Sequence, residues 1–262
     1  ATRIVNTTSG TVTLAQAKAK LQQVAASIPF DDLHDLKCVA NSAIGRIENV
    51  VDRLDLIETI REPNVGASLR LHYRGLVAYL LLTCFALLGQ NAEWIEFGAW
   101  LKSRRHEGER GGALTAWNGD PIAAAELLLA KHSEIYGVHR AFRRFIDRIL
   151  PTEARRSLMA SIEIARYVAP PLPGENHPPV LVDDGKKAEW LFALRNGYTH
   201  HARYVQGAHD EMIPIDMRGD DERWYMDDEV REKTITRYTV TRWPKILEET
   251  VRAGLAASVA SL

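Results

Sequence analysis

The segment from Gly185 to Gln206, GKKAEWLFALRNGYTHHARYVQ, concentrates side chains that are suited to acid–base and anion chemistry. In it, Arg195 and Asn196 are followed, after three residues, by His200 and His201. Histidine has an unperturbed pKa of about 6.5, so it transfers protons near neutral pH. Arginine stays charged and forms paired hydrogen bonds to phosphate oxygens. These residue types suit metal-independent cleavage of RNA, in which a proton leaves the ribose 2′-hydroxyl and negative charge develops on the phosphate.

The spacing of the motif constrains how its side chains can act. Leu191 and Leu194 recur at helical spacing and predict a motif helix over residues 185–206 with one apolar face. Five residues advance a helix by about 500°, which leaves Arg195 and His200 roughly 140° apart around the axis. One helix therefore aims the two side chains poorly at one phosphate. Two copies related by a two-fold axis can place the arginine of one subunit opposite the histidine of the other, so we expect a homodimer with a composite site.

The pattern Arg195-Asn196, three residues, then His200 resembles the signature of the HEPN superfamily (higher eukaryotes and prokaryotes nucleotide-binding domains). His201 replaces His200 if the spacing is one residue longer, which that family also shows. Members are compact helical bundles, commonly dimeric, and many are metal-independent RNases of toxin–antitoxin, phage-defence or CRISPR systems. The resemblance implies RNA as substrate, no cofactor, an antitoxin protein as a partner, and catalytic roles for Arg195, Asn196 and His200 or His201.

The same residues also have a purely structural explanation. Cationic side chains near a helix end interact favourably with the helix dipole, so Arg195 and the two histidines are also typical of a solvated helix end. Asn196 lies four residues before His200 and could hydrogen-bond it on the same helix face. The alternative function is a non-catalytic helical module that binds a nucleotide or a partner protein and keeps the motif as an interface feature.

A basic stripe is formed by Arg140, Arg144 and Arg148, which are four residues apart in HRAFRRFIDR. This stripe could follow an RNA backbone and bind the substrate. A solvated face with local pairing to Asp147 explains the same charges. Residues 104–106, two arginines and a histidine at the edge of a glycine-rich segment, offer a second phosphate contact with the same alternative.

The sequence does not predict a metal site. His132 and His139 are seven residues apart and share a helix face, but no third ligand stands at a recognisable spacing. His-Glu-x-x-His, Gly-x-Ser-x-Gly, a P-loop and a dinucleotide fingerprint are all absent from the sequence.

Composition indicates an ordinary globular protein, and we expect one domain over residues 1–262. The chain is 46% hydrophobic and 26% charged, with a formal net charge of -1, so no strong overall field attracts nucleic acid. Cys38 and Cys84 lie in apolar helical pattern and predict buried thiols in a reducing, cytoplasmic compartment, although one disulfide is the alternative. No secretory signal is expected, and the apolar run 76–88 is shorter than the about 20 residues of a membrane span.

The periodic pattern predicts an all-α fold, a helical bundle of about seven helices with a small β-hairpin insertion within residues 212–241, before the C-terminal helix. Residues 1–12 are expected to be irregular, and 106–119 and 169–179 are expected to be loops. The last helix is expected to expose its small residues, AGLAASVASL. The predicted helices cover 14–27, 31–62, 68–88, 91–105, 121–150 with a bend at Gly137, 153–168, 185–206, and the chain after Pro244.

Overall fold

The computed structural model describes residues 4–7, 10–27, 43–60, 67–90, 95–115, 119–168, 180–201, 213–216, 223–231 and 234–261. The α-helices are α1 (Leu14–Ser27), α2 (Ala43–Ile60), α3 (Ala67–Gly89), α4 (Phe97–Lys102), α5 (Glu107–Thr115), α6 (Pro121–Tyr136), α7 (Val138–Arg144), α8 (Thr152–Ser161), α9 (Asp184–His201) and α10 (Lys245–Ala260). A 3-10 turn, Arg104–His106, lies between α4 and α5, and a π turn, Phe145–Ile149, follows α7.

Helix α3 forms the centre of the bundle and packs against α2, α7, α9 and α10. Its residues Leu81, Leu82 and Phe85 are fully buried, as expected for a core helix. The ring of Phe85 lies 5.1 Å from that of Phe142 and 4.6 Å from that of Phe145, between ring centroids. In the part of the chain that the structure describes, no helix is both long and apolar enough to cross a membrane.

Glycine permits two close approaches in this core. A Cβ atom on Gly89 would overlap the carbonyl oxygen of Ala141, so α3 and α7 can cross there only with glycine. A Cβ atom on Gly254 of α10 would overlap the ring of Phe145. The prediction that the small residues of the last helix are exposed is wrong, because residues 253–256 are buried and let α10 pack closely against the bundle.

Two antiparallel sheets accompany the helices. Strands β1 (Ile4–Thr7) and β2 (Gly10–Thr13) form a hairpin in a segment that was expected to be irregular. The second sheet has five strands in the order β4-β3-β7-β6-β5. Its strands are β3 (Ile162–Val168), β4 (Val180–Leu181), β5 (Ile213–Asp216), β6 (Arg223–Arg231) and β7 (Thr234–Thr241).

The predicted helical bundle with a β-hairpin before the last helix is confirmed, and β6 and β7 form that hairpin. The expected helix over 153–168 is wrong in its second half. Helix α8 ends at Ser161, and β3 follows with Ile162 and Ile164 buried and Glu163 exposed. This alternation is typical of a strand, and β3 pairs with β7 from Ile162 opposite Val240.

The prediction of a loop over 106–119 is also wrong, because α5 forms within it. Trp100 of α4 is fully buried beside this helix. The Arg110 guanidinium lies 5.7 Å above the Trp100 ring and donates a hydrogen bond to the Trp100 carbonyl oxygen. These contacts offset the conformational cost of the glycines in α5.

Local signals predicted several helix ends correctly. The Asp120 carboxylate caps α6 by accepting from the backbone N–H of Ile122 at 2.9 Å, and Pro121 is the first helical residue. The expected bend at Gly137 is a break, with extended backbone between α6 and α7.

Residues 28–42, which include Cys38, and the predicted loop 169–179 lie outside the described residues. Cys84 is a buried free thiol. Burial raises the pKa of this thiol, the nearby Arg53 guanidinium offsets part of the increase, and the resulting pKa is about 12.

Candidate active site

Helix α9 carries the motif and is held by both the bundle and the sheet. Trp190 stacks on Tyr238 of β7, with ring centroids 5.5 Å apart and planes at 16°. The buried residues of its inner face are Ala188, Leu191 and Leu194. The backbone that presents the motif is therefore positioned before any ligand binds.

Charged side chains join the start of α9 to α7. Arg143 Nη1 donates to the carbonyl oxygen of Gly185 at 2.9 Å and lies 3.6 Å from Glu189 Oε1. His139 Nε2 lies 2.8 Å from the other oxygen of Glu189. Arg143 Nη2 lies 3.3 Å from Asp147 Oδ2. Asp147 thus pairs with Arg143, which faces α9, and not with the arginines of the predicted stripe.

Arg195 is half-buried and is oriented by its neighbour in sequence. Its Nη1 donates a hydrogen bond of 3.0 Å to Asn196 Oδ1. Its Nε is buried and has no hydrogen-bond partner among the residues that the structure describes. A buried donor without a partner costs roughly 1–3 kcal/mol, a cost that a bound anion would remove.

An aromatic stack fixes the end of α9 on α3. The rings of Tyr198 and Tyr79 are 4.6 Å apart between centroids, with planes at 24°. Tyr198 lies one helical turn after Arg195, so the two side chains are neighbours on the helix surface. The sequence places both tyrosines in helices but gives no signal that they pair.

The two candidate proton-transfer residues end the helix. His200 and His201 are the last residues of α9, and their side chains lie outside the described residues, as do residues 202–206 of the predicted motif helix. The bond that was expected from Asn196 to His200 and the composite pairing of Arg195 with His200 of a second subunit remain predictions.

The structure brings the three stripe arginines together. Arg140 and Arg148 are exposed, whereas Arg144 is half-buried and donates from Nη1 to the carbonyl oxygen of Gly89 at 3.4 Å. Arg144 therefore also caps the C-terminal end of α3. Burial, and then the positive charges of Arg148 and Arg140, lower the pKa of Arg144. Arg140 also lies 3.9 Å from Glu134 Oε1, so part of the positive charge is paired locally, as the solvated-face explanation expects.

The arginine stripe and the C-terminal part of α9 contact α3 at different positions along its axis. Arg144 contacts Gly89, whereas Tyr198, beside Arg195, contacts Tyr79. Ten residues of α-helix separate these contacts by about 15 Å. Within one subunit, the stripe and the motif are therefore two contact regions that a single extended polyanion would have to span.

A second polar cluster surrounds Glu109 of α5. Its carboxylate accepts from Trp100 Nε1 at 2.7 Å and from the Tyr136 hydroxyl at 3.0 Å, and it lies 3.1 Å from His106 Nδ1. Burial raises the pKa of Glu109, but the hydrogen bonds from Trp100, His106 and Tyr136 outweigh it, so the pKa is lowered. These contacts connect α4, α5 and α6. His106 was a predicted phosphate contact, but its Nδ1 lies against the Glu109 carboxylate.

Two further described histidines are engaged separately. His132 Nε2 lies 2.8 Å from the carbonyl oxygen of Ile95, while His139 contacts Glu189. Among the residues with described positions, no group of three histidine, cysteine or acidic side chains is arranged to hold a metal ion.

Comparison of the chain with protein-family models, with curated proteins and with solved structures finds no match. The resemblance to the HEPN superfamily therefore depends on the motif residues of α9.

Proposed function

We propose that this protein is a metal-independent endoribonuclease of HEPN type that acts on RNA as a homodimer. The proposal depends on the burial and hydrogen bonding of the Arg195 side chain. Its guanidinium is half-buried, oriented by Asn196, and left with a buried Nε–H that has no partner in the described part of the chain. Such a group is suited to an anion that arrives from solution.

Each motif residue has one role in the proposed reaction. The ribose 2′-oxygen attacks the adjacent phosphorus and the bond to the 5′-oxygen breaks, which leaves a 2′,3′-cyclic phosphate and a 5′-hydroxyl. His200, or His201 in its place, performs one of the two proton transfers: it takes the 2′-proton while solvent protonates the 5′-oxygen, or it protonates the 5′-oxygen while solvent takes the 2′-proton. Arg195 stabilises the charge that develops on the phosphate, and Asn196 positions Arg195.

The stripe of Arg140, Arg144 and Arg148 supplies contacts to the RNA backbone in this proposal. Such contacts are sequence-independent and salt-dependent, so each arginine replaced should reduce the salt slope of single-stranded RNA binding by about 0.7. An antitoxin protein as partner, a role in toxin–antitoxin or phage defence, and a cytoplasmic location belong to the same proposal.

Labelled single-stranded RNA incubated with the protein in EDTA tests the activity. Wild type should cleave it, and His200→Ala should lose cleavage while its circular dichroism and its mass by light scattering remain those of a folded dimer. Cleavage retained by His200→Ala, and retained again by His201→Ala, would refute the assignment.

Mixing two inactive variants tests the composite site. In a mixed dimer of Arg195→Ala and His200→Ala subunits, one site receives both functional side chains and the other receives neither. Random exchange therefore restores about a quarter of wild-type activity if the site is shared between subunits. No recovery after exchange would mean that both side chains act from the same subunit.

A non-catalytic module that binds a partner protein is the second candidate, and one observation favours it. Among its 16 residues α6 buries only Tyr136. Ile122 is 70% exposed and Leu129 is 52% exposed, and the two lie on the same face of the helix. Exposed apolar surface of this kind marks interaction sites. Binding of RNA or of a protein without cleavage would favour this candidate.

A further inference from the structure

A cavity of about 360 Å³ lies where the ends of several helices meet, and no residue of α9 lines it. Its walls come from the start of α2, the last turns of α3 and α10, and the π turn. The volume falls within the range of roughly 300–1,000 Å³ that is typical of small-molecule sites.

Among the residues that the structure describes, the charged part of the lining consists of two arginines and includes no acidic residue. Arg46 is only 9% exposed and already takes part in another interaction, so the proposal depends chiefly on Arg148. Arg148 is exposed and, in the described part of the chain, forms neither a hydrogen bond nor an ion pair. Arg144 lies close enough to Arg148 for their charges to interact, which adds to the positive potential around the opening.

The rest of the wall is chiefly aliphatic, with Ile47, Leu88 and Ile149 as its larger residues. The hydroxyls of Ser258 and Ser261 already donate to helix carbonyl oxygens, at 2.9 and 2.7 Å. A nucleobase in this cavity would find few partners for its polar edges, whereas an alkyl chain loses no hydrogen bond on entry.

We propose that this cavity binds an aliphatic carboxylate, with its chain against Ile47, Leu88 and Ile149 and its carboxylate on Arg148 and Arg46. The arginine fork matches a carboxylate, and removal of the chain from water favours binding. No residue of α9 belongs to this site, but it shares Arg148 with the stripe that is proposed to bind RNA. The competing explanation is that Arg148 only neutralises the C-terminal ends of α3 and α10.

Calorimetric titration of the purified protein with octanoate tests the proposal. Octan-1-ol tests the contribution of the alkyl chain alone, and inorganic phosphate tests the contribution of negative charge alone. Wild type should bind one octanoate per chain and bind the other two more weakly. Arg148→Gln should weaken octanoate binding about tenfold, the loss of one charged contact. Ala257→Leu, at a half-buried wall position, should block the cavity. The control Arg156→Gln, an exposed arginine of α8 outside the lining, should change binding less than twofold.

Circular dichroism and thermal unfolding of each variant separate loss of the site from loss of the fold. Absence of octanoate binding by wild type overturns the proposal, as does binding of phosphate as tight as that of octanoate. The helix-end explanation is favoured instead if Arg148→Gln lowers the unfolding temperature and leaves octanoate binding unchanged. A uridine oligonucleotide is titrated in the same way. If it binds, octanoate does not, and Arg148→Gln lowers the affinity for the oligonucleotide, then the carboxylate proposal fails and Arg148 belongs to an RNA contact.

Discussion

Replacing Arg252 by alanine should destabilise the protein by about 3–5 kcal/mol. Arg252 of α10 donates from Nε to Oε1 of Glu248 in the same helix at 2.9 Å, and it joins α10 to α2 by donating from Nη2 to Glu58 Oε1 at 2.8 Å. The two bonds are similar in length but differ in burial. The side chains of Arg252 and Glu248 are 8% and 11% exposed, whereas that of Glu58 is 42% exposed. Loss of the arginine therefore removes a cation that pairs with the buried Glu248 carboxylate.

The exposed partner provides the matched control. Glu58→Gln breaks the other ion pair, but water screens this carboxylate, so the cost should be below about 1 kcal/mol. The double variant Glu248→Leu with Arg252→Met removes both buried charges and keeps the volume, so it should recover most of the stability that Arg252→Ala loses.

Urea unfolding followed by circular dichroism measures these differences. In a chain of this size each kcal/mol lowers the melting temperature by about 2–4 °C, so Arg252→Ala should melt about 6–20 °C below wild type. Equal losses for Arg252→Ala and Glu58→Gln would show that burial does not determine the strength of these pairs, and the reasoning would fail.

Four further outcomes are expected. Asn196→Ala should lower single-turnover RNA cleavage about 10- to 100-fold with the fold unchanged, because the motif arginine loses its orienting hydrogen bond; an unchanged rate would remove this role. With Cys38 replaced by serine, Cys84 should not react with a thiol reagent at pH 8 until denaturant is added, since burial raises its pKa to about 12. Glu109→Gln should lower stability at pH 7, and its difference from wild type should decrease as the pH falls below about 4.3 and through the lowered pKa of Glu109; a difference that does not decrease in this direction would contradict this. Gly89→Ala should cost about 1–3 kcal/mol or more in urea unfolding, because its methyl group has no space; a neutral effect would contradict the close crossing.

Elements with local end signals could be predicted from the sequence. Asp120 and Pro121 specify the start of α6, because a capping carboxylate and a fixed φ act within a few residues. Gly137 was expected only to bend one helix over 121–150, whereas it separates α6 from α7. The bounds of α1 at Leu14 and Ser27 were predicted for the same reason.

Elements that depend on distant partners could not be predicted. The segment that forms β3 continues the apolar pattern of α8, and its strand partner β7 lies beyond α9 in the chain. Helix α5 forms in spite of three glycines because Trp100 and Arg110 pack against each other, a contact with no local signature.

The candidate site was predicted as a set of residues but not as an arrangement. The sequence identifies Arg195 and Asn196, yet only the fold shows that the amide accepts from the guanidinium and that Nε is buried. The cavity beside Arg148 was not expected, because Arg46 is a single charge in an apolar helical pattern and its position depends on how four elements meet.

Strand β7 supports α9 but follows it in the chain, and this order determines when α9 gains that support during protein synthesis. A chain leaves the ribosome from its N-terminus, so α9 emerges before β7. Trp190 can stack on Tyr238 only after that strand has been translated. A nascent chain therefore carries the motif before it carries the strand that supports the motif, so the packing of α9 is completed only after β7 has been made.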